Sequence, residues 1–322
     1  MKYPIKIGDD EVGVAFSFIA NHGAPWHSLG IANADLAMAS GALLTGKIYF
    51  NGNSATIENP MSTIGETFDI GPSHDSIGHP CGGDGRGVFE FHEIRRDSDI
   101  IGQDRSLWKI DCKTQRQLII HPTHKGILSV DDKNKKTIDA IRQSSSILFY
   151  NKSIRWTSQS LLTASTANPC MGGNAWTSLQ HEDIRVCKAF SLWANSIFGL
   201  ITHWTQGQRT HAGRSMLKVN ALAKIPCPSI DQISEERLDI ATEKFDALSK
   251  MTLLPACQAH KDDVRKEIDD AVVQMLGLDM HGIVIVIEQL RWLWCNEPSV
   301  RGTNKDALKA LYEARGNHSI LS

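Results

Sequence analysis

Residues 184–219 read IRVCKAFSLWANSIFGLITHWTQGQRTHAGRSMLKV, and the way this stretch divides decides the fold. Val186, Phe190, Trp193, Ile197, Leu200, Ile201 and Trp204 recur at three- and four-residue spacing, which predicts one long helix over 184–206 with a buried apolar stripe. A polar set follows at once: Gln206, Gln208, Arg209, Thr210, His211, Gly213 and Arg214, with no acid among them. The pair reads as a buried post carrying a basic loop suited to a polyanion.

Working outward, the flanks differ in kind. From 61 to 167, short apolar runs at 64–70, 87–94, 107–112, 117–121, 146–150 and 154–157 alternate with Gly, Pro, Asn and Asp clusters, which predicts strands. Between the first two lies GPSHDSIGHPCGGDGRG (71–87), read as a loop too long for a sheet to absorb. The run 163–176 reads as a second irregular stretch, and DDKNKK (131–136) as a solvated turn. Upstream, 32–44 predicts a helix capped by Asn33, followed by a strand at 47–50 and a turn-rich piece. Downstream of Pro228 the periodicity is helical over 231–249, opened by Ser234, and again over 261–276, 283–294 and 304–314. The expected class is α+β: a lead-in segment (1–60), a strand-rich domain containing the long helix (61–230), and a helical region (231–322).

With 322 residues the chain can bury a sizeable core, and its net charge of −2 excludes a generally basic nucleic-acid coat. Charge is nevertheless segregated. Residues 184–230 hold six bases (Arg185, Lys188, Arg209, Arg214, Lys218, Lys224) and no acid, whereas 231–316 hold sixteen acids against eleven bases. The seven cysteines are scattered, with no C-x-x-C pair, which suits reduced thiols and a cytoplasmic setting. No apolar run approaches the roughly 20 residues of a membrane span. The strongest, 282–294, carries Glu288 and Arg291, so no membrane partner is expected.

Cofactor and metal motifs are weak. The glycines of 82–87 lack the strand-to-helix flanks of a nucleotide loop, and there is no phosphate-binding P-loop pattern, so no cofactor is expected. His74, His79 and Cys81, and His121 with His124, lack the paired spacing of structural zinc sites, so no metal is expected either. One enzymatic pattern stands out: Asp111-Cys112-Lys113 after a predicted strand, with Asp97, Asp99 and Asp104 upstream. Two carboxylates and an ammonium could serve a metal-dependent nuclease in this way. The basic stretch has the vocabulary of DNA recognition, since Arg forks onto phosphate or guanine and Gln matches adenine. It equally suits a solvated surface loop, and the residues alone leave both open. Trp193, Trp204, Trp292 and Trp294 read as core. Trp108, Trp156 and Trp176, on strands or loop edges, leave base stacking open beside packing.

Several runs, in one collinear order, carry a resemblance. They are GAPWHSLGIANADLAMASGALLTGKIYF (23–50), IGPSHDSIG (70–78), GRGVFEF (85–91), RSLWKIDCKTQRQLIIHPTHKG (105–126), SIRWTSQSLLTASTANPCMGGNAWTSL (153–179), KAFSLWANSIFGLITHW (188–204), GRSMLKVNALAKIPCPSID (213–231) and LRWLWCNEPSVRG (290–302). Together they resemble the target-recognition region that follows the catalytic domain in bacterial adenine-N6 DNA methyltransferases, itself similar to half of a type I restriction specificity subunit. The resemblance implies a strand-rich DNA-reading module plus helices that dock onto a catalytic partner. The family's catalytic tetrapeptide, Asn/Asp-Pro-Pro-Tyr/Phe, is missing: Asn59-Pro60-Met61 and Asn168-Pro169-Cys170 lack the second proline and the aromatic. The expectation is therefore a non-enzymatic specificity and assembly subunit of a restriction, modification or phage-defence system. It would bind double-stranded DNA alongside a methyltransferase or other defence subunit. Its DNA-contacting residues are expected in two loops: Gln206, Gln208, Arg209, His211, Arg214 and Lys218 in one, His74 and Arg86 in the other. A nuclease using Asp104, Asp111 and Lys113, and a protein-only scaffold, are the alternatives.

Overall fold

The computed structural model describes residues 2–7, 10–16, 31, 33–50, 53–83, 87–95, 104–129, 135–211, 213–278 and 280–302. In chain order, β1 (Lys2–Ile7) and β2 (Asp10–Phe16) form a hairpin, followed by α1 (Ala34–Leu43). Asn33 caps α1 by accepting the Leu36 N–H at 2.9 Å. Then come β3 (Lys47–Phe50), β4 (Asn53–Thr56), β5 (Met61–Thr63), α2 (Ile64–Thr67), β6 (Asp69–Ile70), α3 (His74–Ile77), β7 (Gly78–Pro80), β8 (Phe89–Glu93), β9 (Arg105–Ser106), β10 (His124–Leu128) and α4 (Lys135–Gln143). The middle continues with β11 (Ser146–Asn151), β12 (Ser153–Arg155), β13 (Thr163–Cys170), β14 (Trp176–Gln180), α5 (Ile184–Asn195), α6 (Ile197–Gln206), β15 (Gln208–His211), β16 (Arg214–Met216), α7 (Val219–Leu222) and β17 (Pro226–Pro228). It closes with α8 (Glu235–Leu248), α9 (Asp263–Met275), α10 (Met280–Asn296) and α11 (Pro298–Arg301), so the chain is an α+β protein with its C-terminal part helical.

The strands make several small sheets, three of which position the site: β7-β8-β10-β9, β13-β11-β14-β6 and β12-β16-β15. β5 pairs with β17, Met61 opposite Pro228, which ties the two ends of the strand-rich stretch together. Most of the core is one cluster running from Leu36 to Val300. A smaller one, Ile77, Val88, Phe89, Phe91, Trp108, Ile138, Ile141 and Met171, lies beneath the β7-β8-β10-β9 sheet and α4.

The expected single helix over 184–206 is two helices, α5 and α6, bent by 73° at Ser196. No proline causes the break. Ser196 takes an extended backbone and caps α6, so the groups a continuous helix would pair internally need outside partners. α9 supplies them. Asp269 Oδ1 accepts the Ile197 N–H at 2.7 Å, and Arg265 donates one guanidinium nitrogen to the Asn195 carbonyl and another to Ser160 O at 2.7 Å. Arg291 of α10 places Nε 2.8 Å from Asp269 Oδ2. Burial raises the Asp269 pKa, while Arg291, the Ile197 N–H and Arg265 oppose the rise. The Asn195 side chain accepts the Leu162 N–H and donates to Thr163 O, both at 2.9 Å, which pins the bend to β13. Gly199 fits where a Cβ would stand 2.4 Å from Trp193 O. From Val186 to Thr205 every residue but Lys188 is buried, so burial wraps around both helices rather than following one stripe, the polar Ser191, Asn195, Thr202 and His203 included.

Other expectations need correction. Residues 64–70 form α2 and a two-residue strand, because Glu66 Oε2 accepts the Thr63 N–H at 2.9 Å and starts a helical turn. The 71–87 run is partly absorbed by a sheet: β7 pairs in parallel with β8. Residues 107–112 are not a strand, since Gln115 bonds Asp111 N and Lys109 O and closes a turn there; 117–121 contribute only an isolated bridge from Ile119. Conversely, 163–170 are a strand rather than irregular, β13 tolerating Pro169 because it is an edge strand. The turn-rich piece after 50 contains β4, paired with β3. Residues 131–134 and the predicted helix 304–314 lie outside the described residues, as do Asp97 and Asp99.

Among the described residues no single helix is long and apolar enough to cross a membrane. The bent pair α5–α6 meets that length and composition only jointly, and it lies in the core.

Candidate nucleic-acid interface

The polar stretch after α6 is a β-hairpin rather than a loop. β15 and β16 turn at Gly213, whose φ of +77° favours glycine, and β16 pairs on its other side with β12. The sheet alternates as a half-buried sheet should. Ile154, Ser215 and Leu217 point into the core, while Ser153, Arg155, Arg214 and Met216 are partly or fully exposed. The helix behind it props the turn. Ser299 of α11 accepts the Trp204 indole N–H on its hydroxyl at 3.0 Å and the Gly213 N–H on its carbonyl at 2.9 Å. Tyr150 and His203 bond at 2.9 Å underneath. Burial drives the His203 pKa down to about 3, so it is neutral.

The predicted residues sort as follows. Gln206 ends α6 half-buried, Gln208 opens β15 exposed, Arg209 and His211 belong to β15 with His211 opposite Arg214 in register, and Lys218 is exposed just past β16. Arg214 is half-buried and donates Nε and Nη2 to Ser153 Oγ at 3.3 and 2.8 Å. These six therefore cluster. His74, on α3, sits on the flank: its Nε2 is 3.2 Å from Asp75 Oδ1, and Asp75 in turn acts on the buried Lys152 ammonium between β11 and β12. Burial lowers the Lys152 pKa, against the attraction of Asp75. Arg86 lies outside the described residues.

Arg155 was not anticipated. It stands directly opposite Arg214 across the antiparallel pair, exposed, and neither guanidinium has an acidic partner among the described residues. The available signal was the alternation Ile154-Arg155-Trp156, in which the two apolar residues are wholly buried and fix Arg155 outward.

Two of the six bases of the acid-free stretch are not part of this face. Arg185 pairs with Asp183, Glu235 and Asp239, and Lys188 with Asp246 at 2.7 Å, so Glu235, Asp239 and Asp246 of the C-terminal segment latch α8 to α5. The charge segregation along the sequence is thus partly internal neutralisation. Trp108, Trp156 and Trp176 offer no stacking platform, as all are at most 3% exposed. Trp292, expected in the core, is instead 56% exposed.

The Asp104 and Asp111 carboxylates of the nuclease pattern are otherwise engaged. Arg142 holds both Asp104 oxygens, at 2.8 and 2.7 Å, and Asp111 accepts the Lys113 N–H and the Thr114 hydroxyl at 2.9 Å each. The Lys113 N–H bond, with the Thr114 hydroxyl next, keeps the Asp111 pKa below the usual carboxylate value. Elsewhere, a shallow cleft of about 430 Å³ is lined by Glu66, Asp69, His181 and Glu182, an acidic set that would repel phosphate.

Comparison with family models gives no match, and no curated protein matches the sequence. Among solved structures, the type IIG restriction endonuclease BpuSI is similar over 64% of this chain, with 9% sequence identity and a TM-score of 0.36. This chain covers 30% of the length of that protein.

Proposed function

We propose that the protein is a DNA-binding specificity and assembly subunit of a restriction-modification or phage-defence system, acting with a separate catalytic partner. The observation that carries the reading is the outward face of the β12-β16-β15 sheet. Like charges directly opposite on an antiparallel pair repel, so placing Arg155 against Arg214 without a carboxylate costs stability unless an anion comes between them. A phosphate backbone is such an anion, and Gln208 and Lys218 extend the same edge with a hydrogen-bonding amide and a further cation. The partner-facing surface in this reading is the outer side of α10. There Ile285 and Trp292, seven residues apart and therefore two turns along one face, are 63% and 56% exposed.

The test is binding of the purified chain to duplex DNA over a salt series, comparing wild type with Arg155→Ala/Arg214→Ala. The double variant is expected to lose about 2–4 kcal/mol of affinity at low salt, two charge-assisted contacts, and to shift the salt slope by about two. Equal affinity of variant and wild type, alone and with the partner, would remove this sheet from the interface. Retention of a partner after nuclease treatment with no DNA affinity at all would favour the protein-only scaffold.

A further inference from the structure

On the outer face of the β7-β8-β10-β9 sheet, three ligand-type side chains converge, with a fourth on the neighbouring strand, although their sequence spacing resembles no metal motif. The parallel register sets His79 opposite Glu90, and the Cys81 N–H bonds Phe91 O at 3.0 Å, which carries Cys81 alongside β8 just beyond β7. Along β8 the residues alternate: Phe89 and Phe91 face the small core, Glu90 and His92 face outward. The Cys81 sulfur, a Glu90 carboxylate oxygen and a His92 ring nitrogen all lie within 4.8 Å of one another, with His92 Nε2 3.2 Å from Glu90 Oε1. Glu90 is the hub. Its carboxylate lies within 4.8 Å of the Cys81 sulfur and beside the His92 ring, and His79 stands opposite it in the parallel register. His79 turns Nδ1 toward Pro80 O at 3.2 Å.

We infer that Cys81, Glu90 and His92 form a site for a zinc-class divalent transition ion, with the fourth position taken by water and His79 alongside. Thiolate, imidazole and carboxylate together select zinc and cobalt over magnesium or calcium, which take oxygen ligands. Tetrahedral zinc with these donors places its ligand atoms roughly 3.3–3.8 Å apart; His92 and Glu90 already stand at about that separation, so the Cys81 sulfur is the ligand that has to approach, by at most about 1 Å or slightly more. Two of them stand on a β-strand backed by Phe89 and Phe91, a rigid support that limits the reorganisation required. Binding breaks the Cys81 S–H bond and forms a sulfur–metal bond. The proton leaves to solvent, and no oxidation or reduction takes place.

The experiment titrates the full, reduced, metal-stripped chain with cobalt(II) and reads the thiolate-to-cobalt charge-transfer absorption, then displaces cobalt with zinc. One cobalt per chain with that absorption is expected in the wild type, and Cys81→Ser abolishes the absorption while circular dichroism stays unchanged. Glu90→Gln and His92→Ala each weaken cobalt binding by at least roughly tenfold. Zinc raises the melting temperature of wild type but not of His92→Ala. Absence of the charge-transfer band at equimolar cobalt, or its survival in Cys81→Ser, overturns the assignment and leaves a thiol–carboxylate–imidazole hydrogen-bond cluster.

Discussion

Arginines organise two regions of this molecule, and the regions differ in what those side chains are left free to do. At the bend between α5 and α6, Arg265 and Arg291 are 0% and 3% exposed, and the groups they face are backbone carbonyls and carboxylates of the same chain. On the β12-β16-β15 sheet, Arg155 and Arg214 stand opposite each other on the outward face, and the acceptor seen among the described residues is the Ser153 hydroxyl, which takes Arg214. Burying a guanidinium costs several kcal/mol, which a fully matched set of acceptors only offsets. The inner set therefore specifies a geometry rather than adding surplus stability. The outer set, with its strand and turn held from behind through Ser299, retains donors for something that arrives from outside.

The largest expected effect falls on the inner region. Arg265→Met leaves the Asn195 and Ser160 carbonyls without their donor and the Asp262 carboxylate without its cation, while Asp269 keeps Arg291, and the expected loss is about 3–5 kcal/mol, read from the denaturant midpoint. Asp269→Asn keeps an acceptor for the Ile197 N–H and should cost less. If Arg265→Met lost under about 1 kcal/mol, the bend would owe its stability to packing alone and the contrast between the regions would disappear.

Next comes a pH effect centred beneath the hairpin. His203 is enclosed and neutral, its pKa lowered by burial to about 3 from an ordinary 6.5. Between those values the unfolded chain binds a proton that the folded chain does not. Its contribution to stability is therefore complete above pH 6.5 and is lost as pH falls toward 3, at about 1.4 kcal/mol per pH unit. His203→Gln, which keeps a partner for Tyr150, is expected to flatten the stability-versus-pH curve between 6.5 and 4.5 by about that slope. An unchanged slope would mean that water reaches the ring and that the support under the hairpin is open.

Much of this was legible in the sequence, and the failures have physical reasons. The caps at Asn33 and the strands near 146–151 and 153–155 follow from local rules, as does the helical C-terminal part. The bend does not, because its partners lie 72 residues away from Ile197 on α9, and the apolar spacing runs unbroken through Asn195-Ser196. β7 looks like loop because three residues, Gly-His-Pro, carry no strand pattern of their own, and only the parallel partner β8 makes them a strand. The same pairing hides Cys81, Glu90 and His92 from any spacing rule. Arg155 was readable from alternation, yet counting charge along the chain drew attention to Arg185 and Lys188, which α8 neutralises.

The smallest effect is the one that separates support from recognition most cleanly. Lys218 lies past the end of β16, exposed, and makes no side-chain cap bond to α7. Its backbone carbonyl accepts the Ala221 and Leu222 N–H groups, a task that alanine can keep, and no side-chain bond is seen among the described residues, so Lys218→Ala should leave stability within about 0.5 kcal/mol of wild type. A single phosphate contact, by contrast, releases about one counterion, so the same change should reduce the slope of log affinity against log salt by about one, across DNA sequences alike. Arg265→Met is expected to do the reverse at temperatures where it remains folded, lowering stability with the salt slope intact. If Lys218→Ala alters neither quantity while Arg155→Ala/Arg214→Ala alters only stability, the exposed arginines belong to the scaffold as well, and the outward face of the hairpin sheet has no role in binding.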